Sequence, residues 1–145
     1  MDERVGNRPI GITVIHKAQD ANSERCAREW RDGFAALSNV KIRDRSVTLR
    51  VIPFTSEGVG KNAAGDVAVF VVCSGLSQES AEIARVSRAH RILTVGTVLS
   101  YVEQNMTFGV FPEAGKYQMV VNLRVAAAER ITFSSSLLKL ARVLR

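Results

Sequence analysis

Apolar positions in the first half of the chain recur with two alternating periods. "PIGITVIH" (Pro9 to His16) is a β-branched run of the length of a buried strand. After it, Cys26, Trp30, Phe34 and Leu37 recur four, four and three residues apart, which puts all four on one face of a helix that Asp20 or Asn22 can cap. "SVTLRVIP" is the second strand, stopped by Pro53. "DVAVFVVC" (Asp66 to Cys73) is the third, apolar on both faces, as expected of a central parallel strand. Ser77 opens a helix to about His90, and "RILTVGT" is a fourth strand ending at Gly96. Strands alternating with helices imply right-handed crossovers and a parallel, doubly wound sheet.

The second half changes period. "MTFGVFPEAGKYQMVVNL" is two strand-like runs joined by Pro112, Glu113, Ala114 and Gly115, a hairpin that adds antiparallel strands to one edge. The chain closes on "SSSLLKLARVLR", where Ser134 or Ser135 can cap a final helix carrying Leu137, Leu138, Leu140, Ala141 and Leu144 on a wide apolar arc. Lys139, Arg142 and Arg145 take the other side and complement the negative end of the helix dipole. So apolar a helix reads as a final core helix covering the sheet; the alternative is that part of it also meets a partner chain. With no internal repeat and no low-complexity linker, residues 1–145 read as a single α/β domain. Its expected architecture is a doubly wound mixed sheet, mostly parallel, with a C-terminal antiparallel hairpin and helices on both faces.

Charge narrows the function classes. The formal net charge is +6, but the arginines are spread from Arg4 to Arg145 among Asp and Glu, with no basic run and no interleaved stacking aromatics. A solvated surface, rather than a nucleic-acid interface, accounts for that pattern. No apolar run approaches the roughly 18 to 20 residues of a membrane-spanning helix. The opening "MDERVGNRPIGITVIH" has no basic start, apolar stretch and small-residue cleavage site of a secretory signal.

Candidate chemistry is sparse. The chain holds two histidines, His16 and His90, and two cysteines, Cys26 and Cys73. His16 ends the first strand and Cys73 the third, and ligands of open parallel sheets bind beyond the carboxyl ends of strands, so a Cys73 thiolate with His16 as base is one arrangement to weigh. A strand-terminal Cys acting as a small core hydrophobe is the other. "TSEGVGKNAAG" departs from the phosphate-binding loop, with Thr55 where the first Gly belongs and Asn62 after Lys61, and reads as a Gly-rich surface loop. "HKAQDANS" follows the first strand in place of a dinucleotide fingerprint, and no Cys or His are paired at metal-ligand spacing. The residues therefore name no catalytic group, cofactor or metal.

Cys26 and Cys73 are also a disulfide candidate. If the first and third strands lie side by side, as in a flavodoxin-like sheet, both sulfurs reach the same edge; otherwise they are two buried free thiols.

"RILTVG", "MTFGVF" and "YQMVVNLRVAAAERITFSSSLLKLARVLR" resemble the C-terminal signature of the YfiR family. The matching positions are Leu93 to Gly96, Met106, Phe108, Asn122, Leu123, Ala126, Ala127, Ser134, Ser135, Leu137, Leu138, Leu140 and Ala141. Upstream, "PIGITVIH", "RSVTLRVIP" and "DVAVFVVC" follow in order and type. Family members usually carry a signal peptide and a helix with a Trp-Pro motif before the first strand, whereas this chain starts almost at the strand. They also place a Cys just before the third strand where this chain has Asp66, so their disulfide pattern does not transfer unaltered. The resemblance implies a non-catalytic periplasmic regulator. Proteins similar to this one restrain a membrane-bound diguanylate cyclase through its periplasmic sensor domain, lowering cyclic-di-GMP and biofilm formation, and related domains precede sensor kinases. A homodimer is compatible with it. Gly96, Asn122, Ser134, Ser135, Leu137 and Leu138 would then be structural or interaction positions. Two other readings stand beside it, namely a small-molecule sensor without a cyclase partner and an enzyme using Cys73 and His16.

Overall fold

β-Branched runs build the centre of one sheet. The computed structural model describes residues 9–37, 41–42, 44–129, 131–133 and 135–144. In chain order the first half holds β1 (Ile10–His16), α1 (Ala21–Ala35), β2 (Lys41–Ile42), β3 (Arg45–Pro53), α2 (Ser56–Ala63), β4 (Val67–Val72) and α3 (Ser80–Ala89). The second half holds β5 (Leu93–Gly96), α4 (Leu99–Gln104), β6 (Phe108–Glu113), β7 (Lys116–Asn122), α5 (Leu123–Ala128), α6 (Ser135–Leu140) and β8 (Arg142–Leu144).

The eight strands form one mixed sheet in the order β2-β3-β1-β4-β5-β6-β7-β8. β3, β1, β4, β5 and β6 run parallel, while β2 and β7 are antiparallel to their inner neighbours. The expected α/β fold is therefore present, and β1 lies beside β4, the adjacency on which the cysteine pairing depends.

The two faces of the sheet are packed unequally. On one, Ile15, Phe70 and Val72 meet Val59 and Ala63 of α2, Ile83 of α3 and Tyr101 of α4, all of them buried. On the other, Val14, Val71 and Val95 meet Ala27 of α1, and Ile12, Leu49, Val69, Leu93, Phe108 and Val110 remain only partly buried. Phe133 stacks over Phe108, with ring centroids 6.3 Å apart.

Two stretches differ from expectation. Residues of "TSEGVGKNAAG" form α2, not a surface loop. Thr55 Oγ1 accepts from the Gly58 amide at 2.8 Å as the N-cap, Lys61 and Glu57 pair at 2.9 Å one turn apart, and Val59 and Ala63 bury the inner face. Capping and burial together override the unfavourable propensity of Gly58 and Gly60, about 1 kcal/mol each.

The C-terminal helix is also a correction. α6 ends at Leu140, which is 72 % exposed, and residues 142–144 become β8, parallel to β7. A continued helix would leave the β7 edge with unpaired amides and carbonyls; β8 pairs them through Val120, Val121 and Asn122. Ser134 lies outside the described residues. Ser135 is the first residue of α6 and exposed, Leu137 lies within that helix, and Leu138 is half-buried.

Candidate functional site

The loops leaving β1, β4 and β5 meet at the carboxyl edge of the sheet. Asp20 caps α1, its Oδ1 accepting from the Ser23 amide at 2.9 Å, and Ser23 Oγ accepts from the Lys17 amide at 2.7 Å. The same carboxylate faces Gly75, where a Cβ would stand 2.9 Å from Asp20 Oδ2 and where φ is +88°. Only glycine fits that position without strain. The β4 loop is thereby pressed against the start of α1.

This geometry brings the cysteines together. Cys73, fully buried at the end of β4, donates its amide to Ile15 O at 2.9 Å. Cys26, half-buried on α1, packs against the same cluster, and its sulfur is 3.8 Å from Thr97 Oγ1. Thr97 is itself fixed by donating Oγ1 to Val72 O at 3.0 Å. Both thiols are free. A hydrogen bond from the Cys73 thiol, with smaller help from Thr97 and the Ser74 backbone, lowers Cys26 from the ordinary 9.0 to about 7; desolvation and the nearby Glu29 carboxylate oppose it. Cys73 moves upward for the reciprocal reason, since its own proton is favoured beside an ionised Cys26, and burial adds to the rise. Among the described residues no hydrogen bond joins His16 to either sulfur, and His16 Nδ1 is buried without a protein partner. Cys73 thus shares its packing cluster with Cys26.

Above the pair, the thinly covered face of the sheet opens as a groove of about 620 Å³. Cys26, Trp30 and Phe34 of α1 form one wall, Val110, Pro112 and Tyr117 of the hairpin the other, and Ile12 and Leu49 contribute from the strands between. Arg25, Glu29, Ser74 and Thr97 supply polar groups near the thiols. Leu37 and Tyr117, 60 % and 76 % exposed, stand at the rim. The helical period of Cys26, Trp30 and Phe34 was legible in the sequence, but it marks a groove wall instead of a sealed core. Arg25, Ser74 and Thr97 were not singled out by sequence reasoning. Position just beyond the ends of β4 and β5 was the only signal available for Ser74 and Thr97.

Of the family-motif residues, Leu93, Val95 and Phe108 pack on the groove face of the sheet, while Gly96 and Asn122 lie against α4. A Cβ on Gly96 would stand 3.0 Å from Tyr101 Cβ and 3.3 Å from Met106 Sδ. Asn122, 2 % exposed, caps α5 by accepting from the Val125 amide at 3.1 Å, and donates Nδ2 to Val102 O at 2.7 Å. Among the described residues no group of three or more His, Cys, Asp or Glu could hold a metal ion, and no helix is long and apolar enough to cross a membrane.

Solved structures share this fold. An ABC domain in complex with L-Trp from Streptococcus pneumonia is similar at 13 % identity and a TM-score of 0.73, covering 94 % of this chain and 56 % of that one. A conserved domain protein from Vibrio cholerae matches at 14 % identity and a TM-score of 0.67, over 93 % of this chain and 54 % of that one. The ligand-free, open form of a substrate-binding protein with adhesive properties from Clostridium difficile matches at 12 % and 0.66, over 94 % and 54 %. The chain thus spans little more than half the length of these structures. A search of curated proteins found no match. The YfiR/HmsC-like family model matches residues 27–142, which takes in α1 from Ala27 onward, the hairpin and the motif residues, and the chain belongs to that family.

Proposed function

We propose that the protein is a non-catalytic periplasmic regulator that restrains a membrane-bound signalling enzyme, a diguanylate cyclase, by binding its periplasmic segment. The observation that carries this reading is the family match over residues 27–142. It is supported by how the buried polar side chains are used. Asn122 and Tyr101 are each engaged in bonds that hold loops and helix ends in place. Restraint through binding lowers cyclic-di-GMP and with it biofilm formation. A sensor kinase with a similar periplasmic segment is the other partner of this kind, and the active unit is compatible with a homodimer.

Co-expression with the membrane-bound cyclase encoded nearest to it tests the reading. Cellular cyclic-di-GMP is expected to fall and to recover when the protein is omitted. Unchanged cyclic-di-GMP, together with hydrolase, phosphatase or thiol-transferase turnover lost in both Cys73→Ser and His16→Ala variants that remain folded, would establish the enzyme reading in its place.

The groove favours a second reading, a small-molecule sensor. Its apolar walls carry Trp30, Phe34 and Tyr117, with Arg25 as a cationic group for a carboxylate. A flat, apolar carboxylic acid such as an aromatic amino acid fits that chemistry, and ligand-induced thermal stabilisation lost in Trp30→Ala checks it.

A further inference from the structure

We propose that Cys26 and Cys73 form a thiol–disulfide exchange site, in which Cys26 attacks low-molecular-weight disulfides entering the groove and Cys73 resolves the adduct. The two thiols differ in the way such a reaction needs. Cys26 lines the groove and is half-buried, so a small disulfide reaches its sulfur; Cys73 is fully buried and does not line the groove. Both belong to one cluster on the groove face of the sheet, Cys73 within it and Cys26 packed against it. The Ser74 backbone favours a thiolate there, and Thr97 Oγ1 lies 3.8 Å from the Cys26 sulfur, in keeping with a Cys26 that ionises below an ordinary thiol. Arg25 on the groove wall complements the carboxylates of a glutathione-like disulfide.

The chemistry balances in two steps. The Cys26 thiolate attacks one sulfur of the disulfide, forming a mixed disulfide and expelling the other half as a thiolate. Cys73 then gives its proton to that thiolate and attacks the Cys26 sulfur, which releases the second half as a thiolate that takes a proton from solvent. The protein dithiol loses two electrons and becomes the Cys26–Cys73 disulfide, while the small disulfide gains them and becomes two thiols. One disulfide is consumed per protein, without turnover. The new bond ties α1, one wall of the groove, to the carboxyl end of β4. The loop closed by the bond, from residue 26 to residue 73, includes all of α2 and β3.

Purified, reduced full-length protein is exposed to glutathione disulfide and analysed by intact mass and by thiol titration after denaturation. Wild type is expected to lose both titratable thiols and two hydrogens in mass, with no retained glutathione. Cys73→Ser is expected to hold one glutathione on Cys26, because the resolving thiol is gone. Cys26→Ser is expected to stay unmodified while folded, because Cys73 is out of reach. Wild type that keeps two thiols, or Cys26→Ser that reacts as fast as wild type, overturns the assignment. Should either variant fail to fold, peptide mapping of oxidised wild type decides: a Cys26–Cys73 linked peptide supports the site, and two separate glutathionylated peptides refute it. The result is independent of the cyclase, so its failure leaves the proposed regulatory role untouched.

Discussion

Tyr101 Oη donates to the Cys73 carbonyl and accepts from the Leu76 amide, both at 2.9 Å, so a single phenol on α4 holds the two ends of the loop that follows β4. The ring is 1 % exposed, and the same loop carries Ser74 and Gly75 against the thiols and the α1 cap. The cysteine site is thus shaped from the opposite face of the sheet as well as its own.

Tyr101→Phe keeps the ring and removes only the hydroxyl. It leaves the Cys73 carbonyl and the Leu76 amide without their buried partner, which costs about 1 to 3 kcal/mol for such groups. Urea denaturation is expected to show a lower midpoint with an unchanged slope. Burial also raises the Tyr101 ionisation above its ordinary 10.0. A raised folded value gives a stabilisation that is full below the unfolded pKa and lost as pH rises through the folded one. The wild-type advantage over Tyr101→Phe should therefore shrink in strong alkali.

The groove thiol gives a separate pH test. Iodoacetamide alkylation of Cys26 is expected to reach half its maximal rate near pH 7, because the Cys73 hydrogen bond, Thr97 and Ser74 outweigh desolvation and Glu29. Cys73→Ser should move the midpoint up toward an ordinary thiol. Stability follows by linkage. Between about 7 and the ordinary 9.0, the folded pair has released one proton and the unfolded pair none, so stability rises with pH there. Above that window the unfolded chain releases both protons while folded Cys73, shifted upward, holds its own, and stability falls again. An alkylation midpoint that stays near 9.0 in the wild type would contradict the lowering of Cys26 by Cys73.

Central strands were the most legible part of the sequence. Val14, Val71 and Val72 belong to runs buried from both sides, and such runs announce themselves in composition alone. α2 was hidden by Gly58 and Gly60, although Thr55 as a cap, Glu57 with Lys61 and Val59 with Ala63 are local helix signals. β8 was hidden for a different reason. Leu137, Leu138 and Leu140 carry a helical period, whereas Arg142–Leu144 is strand only because β7 offers it an edge, a relation no local window contains. The thiol site depended on non-local information too. Cys26 and Cys73 meet only because β4 lies beside β1, and the strand order follows from the sheet as a whole. Tyr101, Thr97 and Arg25 have ordinary sequence neighbours, so nothing local distinguished them.

The β6–β7 hairpin turns through Ala114 and Gly115, whose φ angles are 53° and 78°. Two successive left-handed residues suit the twist of a two-residue hairpin, and Gly adopts that conformation freely while Ala does so at a cost of roughly 1 to 2 kcal/mol. Asn tolerates it better. Ala114→Asn is expected to raise the thermal midpoint by a few degrees with no change in circular dichroism, and a lowered midpoint would show that the exposed Ala114 methyl is doing more than the backbone indicates.

The C-terminus supplies the last test. Truncation before Ala141 removes β8 and leaves α6 in place. Val120, Val121 and Asn122 then lose their parallel partners Arg142, Val143 and Leu144, and β7 becomes an exposed, apolar edge. Asn122 keeps its bonds to Val102 and Val125, and Thr107 still accepts its amide, so the hairpin and the β5–β6 core are expected to stay folded. An unpaired edge recruits another strand. Size-exclusion chromatography with light scattering should show the truncated chain as concentration-dependent oligomers or aggregates, with near-native helical circular dichroism. Leu140→Ser, by contrast, replaces a side chain that is 72 % exposed and should stay within about 0.5 kcal/mol of wild type. If the truncated chain remains monomeric while Leu140→Ser loses partner binding, α6 is the interaction surface and β8 serves only to anchor it.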